Sequence, residues 1–334
     1  MKCDIIQAFA LIAYWTDRRS LDGGLHNVRI HRGLPSAAVN PVALTIGNFD
    51  GVHRGHQAML SRLIEAAEDL RLPPAVLTFD PHPREFFARD AAPPRLTGLR
   101  QKLDAFRAFG VATTFVARFD ARLAALSPQE FIDDVLVARL AVRWVLVGDD
   151  FRFGKGRAGD LAVLRAQART FSVEGMRTVS IEQERASSTA VREALAAGDL
   201  ERATALLGRP YTLAGRVAHG DKRGRELGFP TANIPLRQRP ALTGIFAVRV
   251  HGLGSMPRAG VASLGVRPTV KSEGKPLLEV FVFDFDESIY GRRVAVEFLH
   301  KLRNEEKYDN LGQLTQQIRT DVAQARQYFA TAEE

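Results

Sequence analysis

Gly47-Asn48-Phe49-Asp50-Gly51-Val52-His53-Arg54-Gly55-His56-Gln57 stands between an apolar run, Val42-Ala43-Leu44-Thr45-Ile46, and a segment whose Met59, Leu60, Leu63, Ile64, Ala67 and Leu70 recur at helical spacing. The first run has the make-up of a buried strand and the second that of one helical face, so the quoted stretch is a strand-to-helix turn. Glycines at 47, 51 and 55 let the backbone come close to a ligand. A helix opening near Gly55 directs N–H groups and the positive end of its dipole at the same place, which makes the turn a phosphate site. His53 and His56 are three residues apart, so on a first helical turn both imidazoles face one side, and each can donate to a phosphoryl oxygen as charge develops there. A pair placed this way suits attack at a nucleotide α-phosphate.

Other chemistries for this stretch are poorly supplied. Zinc takes three or four ligands, and the only cysteine is Cys3. A Walker loop needs Gly-x-x-x-x-Gly-Lys-Ser/Thr, and Gly154-Lys155-Gly156 lacks the hydroxyl. The 334 residues suggest two domains, and 46% hydrophobic with 25% charged residues is ordinary globular composition. A single cysteine excludes a disulfide scaffold and fits the cytoplasm. No apolar run reaches the ~18 residues of a membrane span, so no membrane partner is expected. The net charge of +8 suits acidic partners, whether nucleotides or nucleic acid, and equally a basic solvated surface.

Strand and helix patterns alternate after the turn. Ala75–Phe79 has the pattern of a second buried strand, followed by the polar turn Asp80-Pro81-His82-Pro83 at the sheet's carboxyl end, where ligands of open α/β sheets gather. A helix is expected over Leu99–Phe109 and a third strand over Val111–Val116. Ser127-Pro128-Gln129-Glu130 forms a capping box opening a helix to about Leu140, and Val142–Val147 forms a fourth strand. The loop Gly148–Asp160 mixes glycine, charge and aromatics as a binding loop does, although Phe151 and Phe153 would serve equally as core plugs. After a helix from about Asp160 and a short strand over Thr178–Ile181 comes Ser187-Ser188-Thr189-Ala190-Val191-Arg192. Its hydroxyls suit a helix cap and, with Arg192 one turn inward, a second anion site able to hold a leaving pyrophosphate.

Beyond Leu206-Leu207-Gly208-Arg209-Pro210 the pattern changes to short strands with Gly and Pro turns, over Thr212–His219, Gly244–His251, Arg258–Leu264, Leu277–Phe285 and Arg293–Leu299. A small antiparallel barrel is expected, closed by a helix from about Asn310 to Phe329 with Leu311, Leu314, Ile318, Val322 and Ala325 on one face. Glu297 is a carboxylate in an apolar strand, which alternation alone would place outward.

The opening stretch resembles the His-x-Gly-His signature of the nucleotidyltransferases, and its longer form resembles one branch, the prokaryotic bifunctional riboflavin kinase/FAD synthetases. Ser187–Arg192 is similar to the second signature of that superfamily, Ile-Ser-Ser-Thr-x-x-Arg, with Ala186 at the aliphatic position. An aminoacyl-tRNA synthetase would pair its His-x-Gly-His with a Lys-x-Ser-Lys-Ser loop, which is absent. Gly220–Asn233, with Gly-Phe-Pro-Thr-Ala-Asn at its end, resembles the riboflavin kinase motif; Val261–Thr269 resembles another family string, with Ser263 where Asn is commoner. The resemblance runs from about Leu25 to Phe329.

It implies a doubly wound, Rossmann-like α/β nucleotidyltransferase domain over 28–207, followed over 208–334 by a small antiparallel β-barrel with a C-terminal helix. Riboflavin would be phosphorylated to FMN in the barrel, and FMN adenylylated to FAD with release of pyrophosphate in the α/β domain. The resemblance assigns His53, His56 and Arg192 to adenylyl transfer, Gly47, Asn48, Ser187, Ser188 and Thr189 to its ATP, and Phe79, Asp80, His82, Pro83 and Asp150 to its flavin. In the barrel it assigns Gly220, Lys222 and Gly224 to ATP phosphates, Thr231 and Asn233 to Mg²⁺, Glu297 to the general base, and Arg303 and Tyr308 to the flavin. The partners implied are small molecules (riboflavin, FMN, ATP) and no nucleic acid, with oligomeric state open. Family chains usually start just before an Arg-Gly pair, here Arg32-Gly33, so residues 1–27 are read as a poorly ordered extension upstream of the natural start. Two rivals stand against this reading: a nucleic-acid-binding protein on the same scaffold, which would bind with strong salt dependence, and a flavin sensor with decayed catalytic parts.

Overall fold

The computed structural model describes residues 28–88, 91–220, 228–236, 238–266 and 276–332. The N-terminal extension, Lys222 and Gly224 lie outside them. Two compact units are present, one formed mainly by residues 21–187 and the other mainly by 188–334, with Pro94–Leu96 belonging to the second.

The first unit is built on a six-stranded parallel sheet: β1 (Arg29–Arg32), β2 (Val42–Ile46), β3 (Pro74–Phe79), β4 (Thr113–Ala117), β5 (Val142–Gly148) and β6 (Ser172–Met176). Their spatial order is β1-β4-β3-β2-β5-β6. From β2 the chain order runs outward through β3 and β4 on one side and β5 and β6 on the other, with β1 added beyond β4, so the crevice at the carboxyl end of β2, where the opening motif begins, is the switch point at which such sheets bind ligands. Every residue of β2 and β4 is buried, as in a sheet covered on both faces. The helices are α1 (Arg54–Leu70), α2 (Pro83–Phe87), α3 (Leu99–Ala108), α4 (Ala121–Ala125), α5 (Pro128–Glu130) and α6 (Leu161–Gln167).

Several elements differ from the sequence reading. The capping box of Ser127 and Glu130 is present, with reciprocal bonds of 2.7 and 3.2 Å, but α5 continues over Phe131–Arg139 as a π-helix, closed by bonds such as Leu140 N–H to Val135 O at 3.0 Å. β1 is a polar edge strand without an apolar run to announce it. The edge strand β6 ends before the expected Thr178–Ile181 segment, which contributes instead to a small hairpin of β7 (Ser180–Ile181) and β8 (Glu184–Arg185).

The second unit opens with α7 (Ser188–Ala197) and α8 (Leu200–Leu207) and continues as β9 (Thr212–Arg216), β10 (Ala232–Pro235), β11 (Gly244–His251), β12 (Arg258–Val266), β13 (Pro276–Val282) and β14 (Arg293–Arg303). The order β10-β13-β12-β11-β14-β9 is antiparallel throughout, and a bridge between Ala218 and Asn233 draws the two edge strands together. This is a nearly closed barrel with Phe246 and Phe298 inside it, edge to face at 5.3 Å. α9 (Leu311–Ala332) lies on β11 and β12 through Val322, Ala325 and Phe329. Its first turn does not take part, since Leu311 is 66% exposed.

Candidate active sites

The motif turn holds an unusual backbone. Phe49 and Val52 have φ of 50° and 44°, a region costly for a β-branched residue, and Gly51 between them has φ 84°. Buried Asp50 holds the turn to the start of α3: its carboxylate accepts from Thr97 N–H at 3.0 Å and Thr97 Oγ1 at 3.3 Å, while Gly51 N–H donates back to Thr97 Oγ1 at 3.0 Å. The Phe49 ring is buried between Phe106 at 5.1 Å and His56 at 4.9 Å. Asp50 is therefore a structural residue that fixes the turn's shape. Gly55 passes so close to the strand-end residue Ala186 that a Cβ there would lie 3.2 Å from its carbonyl oxygen, which brings the residue before Ser187 against the start of α1.

His53 and His56 are brought together as their spacing implies, with ring centroids 3.7 Å apart and planes 25° from parallel. Burial, then the neighbouring His53, then the ammonium of Lys102 hold His56 well below the usual histidine range, so its ring is neutral near pH 7. His56 Nδ1 and Asn48 Oδ1 are buried and have no hydrogen-bond partner among the described residues. Buried polar atoms are normally satisfied, and two orphans in one turn are the sign of a ligand that supplies their partners.

The Phe79–Pro83 turn is more aromatic than its sequence showed. Phe79 meets Phe119 edge to face at 5.8 Å, and Phe86 and Phe87 meet the same ring at 5.6 and 5.7 Å, with Phe87 69% exposed. Phe119 lies far along the chain, which hid the cluster. His82 acts as the cap of α2, its Nδ1 accepting from Arg84 N–H at 3.1 Å. Asp150 is exposed and paired with Arg185. The aromatics of its loop are core plugs: buried Phe153 stacks on Phe151 at 5.4 Å and contacts Phe131 at 5.5 Å, so these two residues serve packing.

The second signature crosses the division between the units, with Ser187 in the first and Ser188 to Arg192 in the second. Ser188 opens α7, and Thr189 is exposed. Arg192 is tied to backbone, Nε donating to Pro94 O at 2.6 Å and Nη1 to Ser188 O at 3.0 Å, which fixes its guanidinium one turn into the helix.

In the barrel, Gly220, Thr231, Asn233, Asp286 and Tyr290 line a cavity of about 310 Å³. Asn233 donates from Nδ2 to Thr231 O at 3.2 Å, which turns the amide oxygen, buried and unpartnered among the described residues, the other way. A Cβ on Gly220 would lie 2.4 Å from this amide, so only glycine lets the backbone pass there. His219 stacks on Tyr290 at 3.9 Å beside the cavity, a pairing of distant residues that spacing does not reveal.

The carboxylate directly across the strands from Asn233 is Glu279 of β13. Glu297, on β14, is instead paired with Thr212 of β9 and Arg249 of β11, is buried, and accepts from His251 Nε2 at 2.6 Å. Arg303 and Tyr308 are brought together, the guanidinium 5.9 Å from the ring centroid. Arg303 also makes a two-pronged bond to buried Asp321, at 2.8 and 2.7 Å.

Residues 36–190 match the FAD synthetase family and residues 207–329 the riboflavin kinase family. The bifunctional riboflavin kinase/FMN adenylyltransferase of Escherichia coli K12 is 46% identical over 92% of this chain and 96% of its own length. The chain belongs to the bifunctional riboflavin kinase/FMN adenylyltransferase family. Members from Haemophilus influenzae and Pseudomonas fluorescens are 46% and 48% identical, over 98% and 96% of their lengths and 92% and 91% of this one. The crystal structure of a macrolide-efflux protein from Streptococcus pneumoniae superposes with a TM-score of 0.74 at 28% identity, covering 88% of this chain and 97% of that one. The α/β module is thus the FAD synthetase of the family and the barrel module its riboflavin kinase.

Proposed function

We propose that the barrel makes FMN from riboflavin and ATP and that the α/β module turns this FMN into FAD with a second ATP, each at the residues described above. In the barrel, Glu279 rather than Glu297 takes the proton of the ribityl 5′-hydroxyl. The 5′-oxygen bonds to the γ-phosphorus, the γ-phosphorus–oxygen bond to the β-phosphate breaks, and ADP leaves. The cross-strand position of Glu279 opposite Asn233 supports this choice, since Glu297 lies on β14, away from the Asn233 strand pair. Thr231 and Asn233 supply the oxygen donors that Mg²⁺ requires, and the buried, unpartnered Oδ1 of Asn233 fits that use. When bound, the cation offsets charge on the transferring phosphate. Arg303 and Tyr308 flank the flavin.

In the α/β module a phosphate oxygen of FMN bonds to the α-phosphorus of ATP, the bond to the β-phosphate breaks, and pyrophosphate leaves. The stacked histidines donate hydrogen bonds to the phosphoryl oxygens, His56 from an uncharged ring, with Asn48 and the Ser187–Thr189 hydroxyls on the ATP and Arg192 on the pyrophosphate. The observation that carries this reading is the orphaned pair His56 Nδ1 and Asn48 Oδ1 beside the stacked rings at the sheet's switch point. The aromatic cluster of Phe79, Phe86, Phe87 and Phe119 next to the Asp80–Pro83 turn suits the flavin ring, with stacking as the source of affinity. Partners are small molecules rather than nucleic acid. The setting is the cytoplasm, in keeping with the lack, among the described residues, of a helix long and apolar enough to cross a membrane. Incubation with riboflavin, ATP and Mg²⁺, followed by chromatography, yields FMN first and FAD second; no conversion refutes the reading.

A further inference from the structure

Lys102 stands on α3 four residues before Phe106, on the helix's buried side, and is itself only 6% exposed. A charged side chain on an apolar face is the exception in a helix, because an ammonium is costly to remove from water. Its Nζ donates to Thr78 Oγ1 at 3.5 Å, and that hydroxyl donates onward to Asn48 O at 3.3 Å. Thr78 is the penultimate residue of β3, so the chain of contacts runs from the carboxyl end of β3 to the motif turn. The charge of Lys102 is also the last of the three influences that hold His56 below the usual histidine range.

We propose that Lys102 is a positioning residue of adenylyl transfer, a fixed cation held by Thr78 beside the histidine pair, so that positive charge comes from the lysine and directed hydrogen bonds from the two rings. Rings stacked at 3.7 Å cannot both carry charge without strong repulsion, and the groups whose charge acts on His56 are His53 on the same turn and Lys102 on α3. With the positive charge placed on the lysine, the histidines need not carry it. The rings are left to orient oxygens through N–H groups, and the orphaned Nδ1 of His56 is available to a ligand in this state.

This inference rests on assigning the histidine pair to adenylyl transfer, and the test separates the two. Wild type, Lys102→Met and Thr78→Val are assayed for FAD formation from FMN, ATP and Mg²⁺ across pH, with FMN formation from riboflavin as an internal standard of enzyme concentration and calorimetric unfolding as the standard of folding. Lys102→Met should lower kcat/KM for FAD formation by about 100-fold, the usual scale for losing one preorganised electrostatic group, and leave FMN formation unchanged. Its acid limb should move to higher pH, because His56 loses a cationic neighbour; a purely structural lysine would not move that limb. Thr78→Val, which keeps shape and removes the hydroxyl that links Lys102 to Asn48 O, should lower FAD formation about tenfold. Should Lys102→Met fail to fold, Thr78→Val decides. FAD formation within twofold of wild type, or an unmoved acid limb in Lys102→Met, overturns the inference while leaving the module's function intact. Absence of FAD formation in wild type removes the reading on which it stands.

Discussion

Replacing each of two barrel glutamates by glutamine should separate chemistry from packing. Glu279 faces Asn233 across the strands, and Glu297 is buried against His251 at 2.6 Å. Loss of a general base costs about 10²- to 10⁴-fold in kcat, or roughly 3 to 5.5 kcal/mol of transition-state stabilisation. Glu279→Gln should therefore lower riboflavin phosphorylation by that factor while barrel unfolding stays close to wild type, since residue 279 is half-buried and keeps its shape. Glu297→Gln keeps an acceptor for His251 but removes the charge from a buried bond, at about 1.5 to 3 kcal/mol. For a unit of roughly this size that corresponds to a fall of about 5 to 10 °C in the barrel's own transition, with kcat for FMN formation within about threefold of wild type. The assay is FMN production by chromatography beside calorimetric unfolding. A Glu297→Gln enzyme that keeps its melting behaviour and loses phosphorylation as steeply as Glu279→Gln would refute the reasoning.

The remaining expectations concern both modules. Because burial, His53 and Lys102 depress His56, its neutral form persists as pH falls through the ordinary histidine value of 6.5; FAD formation should hold from pH 7 through 6.5, and an acid limb at or above 6.5 would contradict this. Phe87→Ala removes an exposed member of the aromatic cluster and should raise KM for FMN about 2- to 12-fold with kcat little changed, as loss of about 0.5 to 1.5 kcal/mol of stacking implies. Arg303→Met leaves Asp321 buried without its two-pronged partner and should cost about 3 to 5 kcal/mol of barrel stability together with riboflavin affinity, measured by unfolding and by flavin fluorescence titration.

Much of this was legible because strong local signals coincide with function. The apolar run before Gly47, the helical spacing after Gln57 and the His-x-x-His interval together placed the strand, the turn and the stacked rings. The Gly-Pro change after Leu207 announced the switch to short strands. What stayed hidden depends on contacts between distant residues. Glu279 and Glu297 both lie in apolar strands, and only the register of β13 against β10 shows which one faces Asn233. Lys102 looks like an ordinary helix-surface charge until α3 packs, although its place four residues before Phe106 is a faint signal of burial. Phe119 joins Phe79 from the far side of β4. Gly148–Asp160 has a binding loop's composition, yet Phe153 packs into the core against Phe131. β10 was obscured by the prolines at 230 and 235, residues that ordinarily argue against a ladder position.

The central claim is that two independent sites act in succession, one needing Glu279 and the other His56. It is tested most directly by supplying riboflavin, ATP and Mg²⁺ to His56→Ala, to Glu279→Gln and to an equal mixture of the two. The account predicts that His56→Ala stops at FMN, that Glu279→Gln alone makes almost no FAD, and that the mixture makes FAD from the FMN released by the first enzyme. A mixture that makes no FAD, or a His56→Ala enzyme that makes it unaided, would contradict the account.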